Sequence, residues 1–120
     1  MIEEPTTPDM GLPFASRDLD PQLTVRAERV GTTVLVTLRG ELDAATEPLL
    51  MAQVERQLDE SCQDLIVSCK DLTFVDSSGL RALLSVRACC AGTDTRFQLV
   101  HTNPQLDRLL EITGLSRAFQ

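Results

Sequence analysis

Residues 71–80 contain an abrupt change of pattern, and this change constrains the fold more than any other feature of the chain. An apolar run ends there in one acid, two serines and a glycine, and a second apolar run begins at once with helical spacing. This order predicts that a strand or turn delivers Ser77 and Ser78 to the first turn of a helix, where backbone N–H groups lack partners. Aspartate and serine are preferred helix caps, and a helix N-terminus favours a phosphate. The segment therefore predicts either a capped helix or a serine in a capping position that can be phosphorylated.

The rest of the chain alternates between strand and helix patterns. Strand patterns occupy residues 23–30, 33–39, 65–67 and 97–100. Helical spacing begins near Thr46, after Ser78 and at Asn103. The resulting order, β-β-α-β-α-β-α, predicts an α/β fold in which helices pack mainly on one face of a mixed sheet. In the last helix the expected apolar stripe consists of Leu106, Leu109, Leu110 and Ile112.

The chain is expected to hold one domain, because 120 residues support one two-layer core but not two. Residues 1–21 contain four prolines among acids and threonines and show no apolar periodicity. We interpret them as a flexible N-terminal extension, which places the domain in residues 22–120.

Charge and hydropathy exclude several classes of partner. The formal net charge of −7 argues against direct binding to a nucleic-acid backbone, which requires a basic surface. No apolar stretch approaches the roughly 20 residues that span a bilayer, so membrane insertion is not expected. The N-terminus also lacks the basic and apolar regions of a secretory signal. A cytoplasmic protein is the expectation.

The cysteines show neither a zinc pattern nor a secreted disulfide pattern. They are Cys62, Cys69, Cys89 and Cys90. Paired C-x-x-C spacing is absent, and the adjacent pair would point in different directions on a helix, which suits packing better than chelation. We expect reduced, structural thiols and no bound metal or cofactor.

Catalysis has weak support in the sequence. The single histidine, His101, follows a strand, and a Ser-His-Asp triad could be drawn from it. The other members would be Ser77 or Ser78 with Asp43 or Asp76. However, the G-x-S-x-G elbow that presents such a serine is absent. A metal site built from His101 and the two acids lacks a second histidine or a spaced cysteine pair. We therefore expect no catalytic residues.

Polar residues do gather after two of the expected strands. Asp43 follows the second strand, and Asp76, Ser77 and Ser78 follow the third. In open α/β sheets, functional loops collect at the carboxyl ends of the strands. The two acids could equally be ordinary helix caps, and the residues alone do not decide between these interpretations.

Two motifs carry a family resemblance. Residues 40–43, Gly-Glu-Leu-Asp, are followed at a characteristic distance by residues 74–80, Phe-Val-Asp-Ser-Ser-Gly-Leu. Together they resemble a STAS domain and, more narrowly, the bacterial anti-sigma-factor antagonists. The resemblance runs from about Leu23 to Phe119 and includes the closing residues 109–115.

The resemblance implies a binding protein rather than an enzyme. Members of this family bind an anti-sigma factor that is also a serine kinase, and thereby free the sigma factor. The kinase phosphorylates the second serine of the motif, and a serine phosphatase restores it. Ser78 would then be the acceptor, with Ser77 the less favoured choice, since local physics does not separate them. The implied partner-binding residues are Asp43, Asp76, Ser77, Ser78 and Gly79.

STAS domains also occur in transporters and in multi-protein sensors. The alternative function is therefore a non-switching STAS subunit that scaffolds a transporter or sensor complex. The intact serine pair favours the switching branch of the family.

Overall fold

The structure, a computed structural model, describes residues 22–119. The extension expected for residues 1–21 lies outside the described residues. The elements are β1 (Leu23–Val30), β2 (Thr33–Leu42), α1 (Glu47–Gln57), β3 (Asp64–Val75), α2 (Ser77–Gly92), β4 (Arg96–Val100), α3 (Pro104–Thr113) and a closing 3-10 turn (Ser116–Phe119). The predicted order β-β-α-β-α-β-α and the α/β class are confirmed.

The four strands form one mixed sheet in the order β1-β2-β3-β4. β1 and β2 form an antiparallel hairpin around Gly31, whose positive φ of 63° suits a residue without a side chain. β2 and β3 are parallel, as are β3 and β4. Parallel neighbours need a crossover, which α1 and α2 supply. The carboxyl ends of β2 and β3 consequently meet at one edge of the sheet.

The core follows from the alternation of side chains along the central strands. In β2, Val34, Val36 and Leu38 are fully buried, whereas the residues between them are only partly buried. The same cluster includes Leu65 and Val67 of β3. The helices contribute Leu50, Val54, Leu80, Leu83, Val86, Leu106 and Leu110. These side chains pack the three helices against the sheet.

β3 is much longer than its apolar pattern predicts. The expected strand covers residues 65–67, but the observed strand is Asp64–Val75, with 12 residues. Its pairing with β2 shifts register between Thr37 and Arg39 and again between Gly40 and Glu41. These irregularities break the period-2 pattern, and they let the two strands stay paired as far as Leu42 and Val75.

One residue expected in the core is exposed. Leu106 and Leu110 of α3 face inward as predicted, but Ile112 is 70% exposed. Two residues beyond Leu110 correspond to a rotation of roughly 200° around the helix, which points Ile112 away from the core. Within residues 22–119, no helix combines the length and apolar composition needed to cross a membrane.

Candidate functional site

Asp76, rather than either serine, caps helix α2. Its backbone is extended, and its Oδ1 accepts a hydrogen bond from the Gly79 N–H at 2.9 Å. Ser77 and Ser78 therefore lie inside the first turn, and neither side chain makes a hydrogen bond with another residue in 22–119. Ser77 is exposed and Ser78 is half-buried. The predicted helix start is confirmed, and neither serine hydroxyl contributes a hydrogen bond to the fold of residues 22–119.

Gly79 brings the first turn of α2 against the end of β2. A Cβ atom at this position would collide with the carbonyl oxygen of Leu42 and would lie 2.9 Å from Cγ2 of Val75. Only glycine permits so close an approach without a shift of the backbone. The chain continues from Leu42 directly into Asp43, so this contact places the two predicted motifs side by side.

Asp43 organises the turn between β2 and α1. Its Oδ1 accepts from the backbone N–H of Ala45 at 3.0 Å and of Thr46 at 3.1 Å. Thr46 is buried, and its hydroxyl donates to the Glu41 carbonyl at 2.8 Å. Asp43 therefore has a structural task in this turn, in addition to any contact with a partner.

An open groove runs between the N-terminal ends of α1 and α2. Its lining residues are Ala44, Glu47, Ser78, Arg81, Ala82 and Ser85. Ser78 lines this groove and Ser77 does not, so the structure distinguishes two serines that the sequence leaves equivalent. Arg81 is exposed and lines the groove together with Ser78. Sequence reasoning missed this proximity, although the spacing of three residues on one helix is a signal from which it could have been found.

A second set of contacts holds the end of β3 from its other side. β4 pairs with β3 only as far as Ser68, although β3 continues to Val75. Beyond that point, Asn103 donates from Nδ2 to the Leu72 carbonyl at 3.0 Å, and Gln105 accepts from the Val75 N–H at 3.3 Å. The beginning of α3 thus replaces the missing strand and supports the segment that leads to Asp76. Sequence reasoning missed this role of Asn103 and Gln105.

The remaining candidate residues lie elsewhere. His101 is exposed at the end of β4, with a positive φ of 54°. Cys62, Cys69 and Cys90 are buried in the core, and Cys89 is half-buried. Burial raises the pKa of the Cys69 thiol to about 12. Among residues 22–119, no group of three or more His, Cys, Asp or Glu side chains is arranged to hold a metal ion.

Comparison with known proteins places this geometry in a family. The family model described as "STAS domain" matches residues 24–120. The chain belongs to the STAS-domain family. The resemblance inferred from the two motifs is thereby confirmed, and the groove between α1 and α2 is a feature of this chain's STAS domain.

The relatives of this STAS domain include bacterial regulators. An anti-sigma F factor antagonist of Paenibacillus polymyxa is 30% identical over 94 residues, which cover 78% of this chain and 80% of that protein. A crystal structure of an anti-sigma factor antagonist from Mycobacterium paratuberculosis has a TM-score of 0.71 and 27% identity, covering 81% of this chain and 82% of that one.

A third comparison shows the fold alone. The anti-sigma factor antagonist SpoIIAA in its unphosphorylated form is 23% identical, with a TM-score of 0.68, and the match covers 81% of this chain and 86% of that one. The mixed sheet of four strands with its helices is thus the STAS fold.

Proposed function

We propose that this STAS domain is an anti-sigma-factor antagonist that is switched by phosphorylation at Ser78. In its unphosphorylated form it binds an anti-sigma factor that is also a serine kinase, and so releases the sigma factor in the bacterial cytoplasm. Phosphorylation ends this binding, and a serine phosphatase restores it. The role needs neither catalysis by this chain nor direct contact with nucleic acid.

The position of Ser78 is the observation that carries the proposal. Its hydroxyl lies in the first turn of α2, lines the groove and is engaged by no other described residue. A kinase can therefore reach the oxygen without first breaking a native hydrogen bond. The relatives named as anti-sigma factor antagonists support the same role for this chain.

The charges around Ser78 give a physical reason for the switch. Glu47 lines the same groove, and Asp43 and Asp76 lie at the starts of the two helices that form it. A phosphate adds about −1.5 to −2 charges at pH 7. A partner surface that accepts a hydroxyl beside three acids would then face a larger, desolvated negative charge. Like charges in an interface cost several kcal/mol, so affinity is expected to fall roughly a hundredfold or more.

The fold itself is expected to tolerate the phosphate. Ser78 is the second residue of α2, where free backbone N–H groups and the helix dipole favour an anion. Modification breaks no side-chain hydrogen bond within residues 22–119, because Ser78 makes none there. The switch would therefore change the binding surface and leave the core unchanged.

The proposal is tested with an anti-sigma factor that is also a serine kinase, taken from the same organism. Binding is measured with and without ATP for the wild type, Ser78→Ala, Ser78→Asp and Ser77→Ala. We expect ATP to release the wild type and Ser77→Ala, Ser78→Ala to stay bound, and Ser78→Asp to bind poorly. Labelling at Ser77, or equal affinity of modified and unmodified protein, would refute the assignment. Binding to a transporter or sensor subunit that ATP does not affect would instead support the scaffolding alternative.

A further inference from the structure

Arg81 is a basic residue with no internal partner, one turn beyond Ser78. It is exposed, and it forms neither an ion pair nor a hydrogen bond with any residue in 22–119. It is also the only basic residue that lines the groove between α1 and α2 within the described part of the chain. A guanidinium group therefore lies beside the proposed phosphorylation site without an ion pair to any carboxylate in residues 22–119.

Helix geometry directs Arg81 toward Ser78. Residues three apart lie on the same face of an α-helix, and side chains lean toward the helix N-terminus over the preceding turn. Arg81 follows Ser78 by three residues in α2, so its side chain leans over the turn that contains Ser78. The opposite wall carries Glu47, which would repel a phosphate and favour its displacement toward α2.

We infer that Arg81 holds the phosphate of phosphorylated Ser78; this regulatory contact rests on the proposed function. A guanidinium group offers paired N–H donors that match two phosphate oxygens, and such charge-assisted hydrogen bonds are about twice as strong as neutral ones. Phosphorylation would then have two effects on the groove. It adds negative charge, and it also removes the only described cation there from contact with a partner.

The contact is tested by ³¹P NMR on protein that carries phosphoserine at position 78, installed during translation. The second pKa of the phosphate is measured in the otherwise wild-type protein and in Arg81→Gln, Arg81→Lys and Arg87→Gln variants. Arg81 favours the dianion, so Arg81→Gln should raise this pKa by about half a unit, the size expected for an exposed ion pair. Arg81→Lys should recover part of the difference. Arg87 is an exposed residue of the same helix outside the groove, and its replacement should leave the pKa unchanged.

Salt separates a direct ion pair from a change of structure. At 1 M salt the screening length falls to about 3 Å, so the difference between the wild type and Arg81→Gln should shrink. Equal titration of these two proteins, or an equal shift in Arg87→Gln, would overturn the inference. The experiment uses neither kinase nor partner. A kinase that labels Ser77 would therefore refute the proposed function without affecting this measurement.

Discussion

Replacement of Gly79 tests whether close packing against β2 places the first turn of α2. The added Cβ of Gly79→Ala would meet the Leu42 carbonyl oxygen and lie 2.9 Å from Val75 Cγ2. A backbone carbonyl cannot rotate away as a side chain can, so we expect a cost near the upper end of the 1–3 kcal/mol typical of overpacking. Alanine regains about 1 kcal/mol of helix propensity. The net loss is then about 2 kcal/mol, or a fall of roughly 10 °C in Tm for a domain of this size.

The assay is equilibrium urea unfolding of the wild type, Gly79→Ala and Gly92→Ala, followed by circular dichroism. Gly92 belongs to the same helix, and a Cβ there would meet no atom within 4 Å. Gly92→Ala should therefore keep or slightly raise the free energy of unfolding. The m-values should agree, since all three variants bury the same core. If Gly79→Ala is as stable as Gly92→Ala, the packing contact does not place α2 and the reasoning fails.

Two further predictions concern the turn and the thiols. Asp43→Ala should lose about 1 kcal/mol of stability, because the N–H groups of Ala45 and Thr46 lose their acceptor. Asp43→Asn keeps an oxygen there and should unfold near the wild-type midpoint. Equal midpoints for the two variants in thermal unfolding would contradict this role of Asp43. Burial raises the pKa of Cys69 to about 12, so at pH 8 an aromatic disulfide reagent should label folded protein first at half-buried Cys89. Intact-mass analysis should show slower labelling of Cys89→Ser than of the wild type, and equal rates would exclude Cys89 as the reactive thiol.

The element order was predictable because the signals for helix and strand are local. Each helix start carries a polar residue directly before the helical spacing begins, and two of these residues cap their helices with a side-chain oxygen. Asp76 accepts from the Gly79 N–H, and Asn103 accepts from the Leu106 N–H at 2.8 Å. Capping depends on atoms within three residues of each other, so the start of a helix can be predicted from a short segment of sequence.

The features that the sequence did not reveal depend on distant contacts. The length of β3 depends on its irregular pairing with β2. The apolar pattern of residues 64–75 alone does not indicate this pairing. The side chains of Asn103 and Gln105 complete its edge from about 30 residues away. The candidate site likewise combines a feature set by local sequence with one set by distant contacts. The position of Ser78 in a helix start was predictable, but its separation from Ser77 depends on α1, which forms the other wall of the groove.

The contacts that hold the first turn of α2 do not involve the serine on which the proposed switch depends. The cap from Asp76 and the close approach of Gly79 hold the first turn of α2, and neither contact uses a serine hydroxyl. A phosphate on Ser78 would therefore leave those contacts in place. Its negative charge would be stabilised by free backbone N–H groups, by Arg81 or by groups of the partner. Substitutions at Gly79 should accordingly lower stability and binding together. Substitutions at Arg81 should change the titration of the phosphate and the affinity for a partner while the free energy of unfolding of the unmodified protein stays nearly constant.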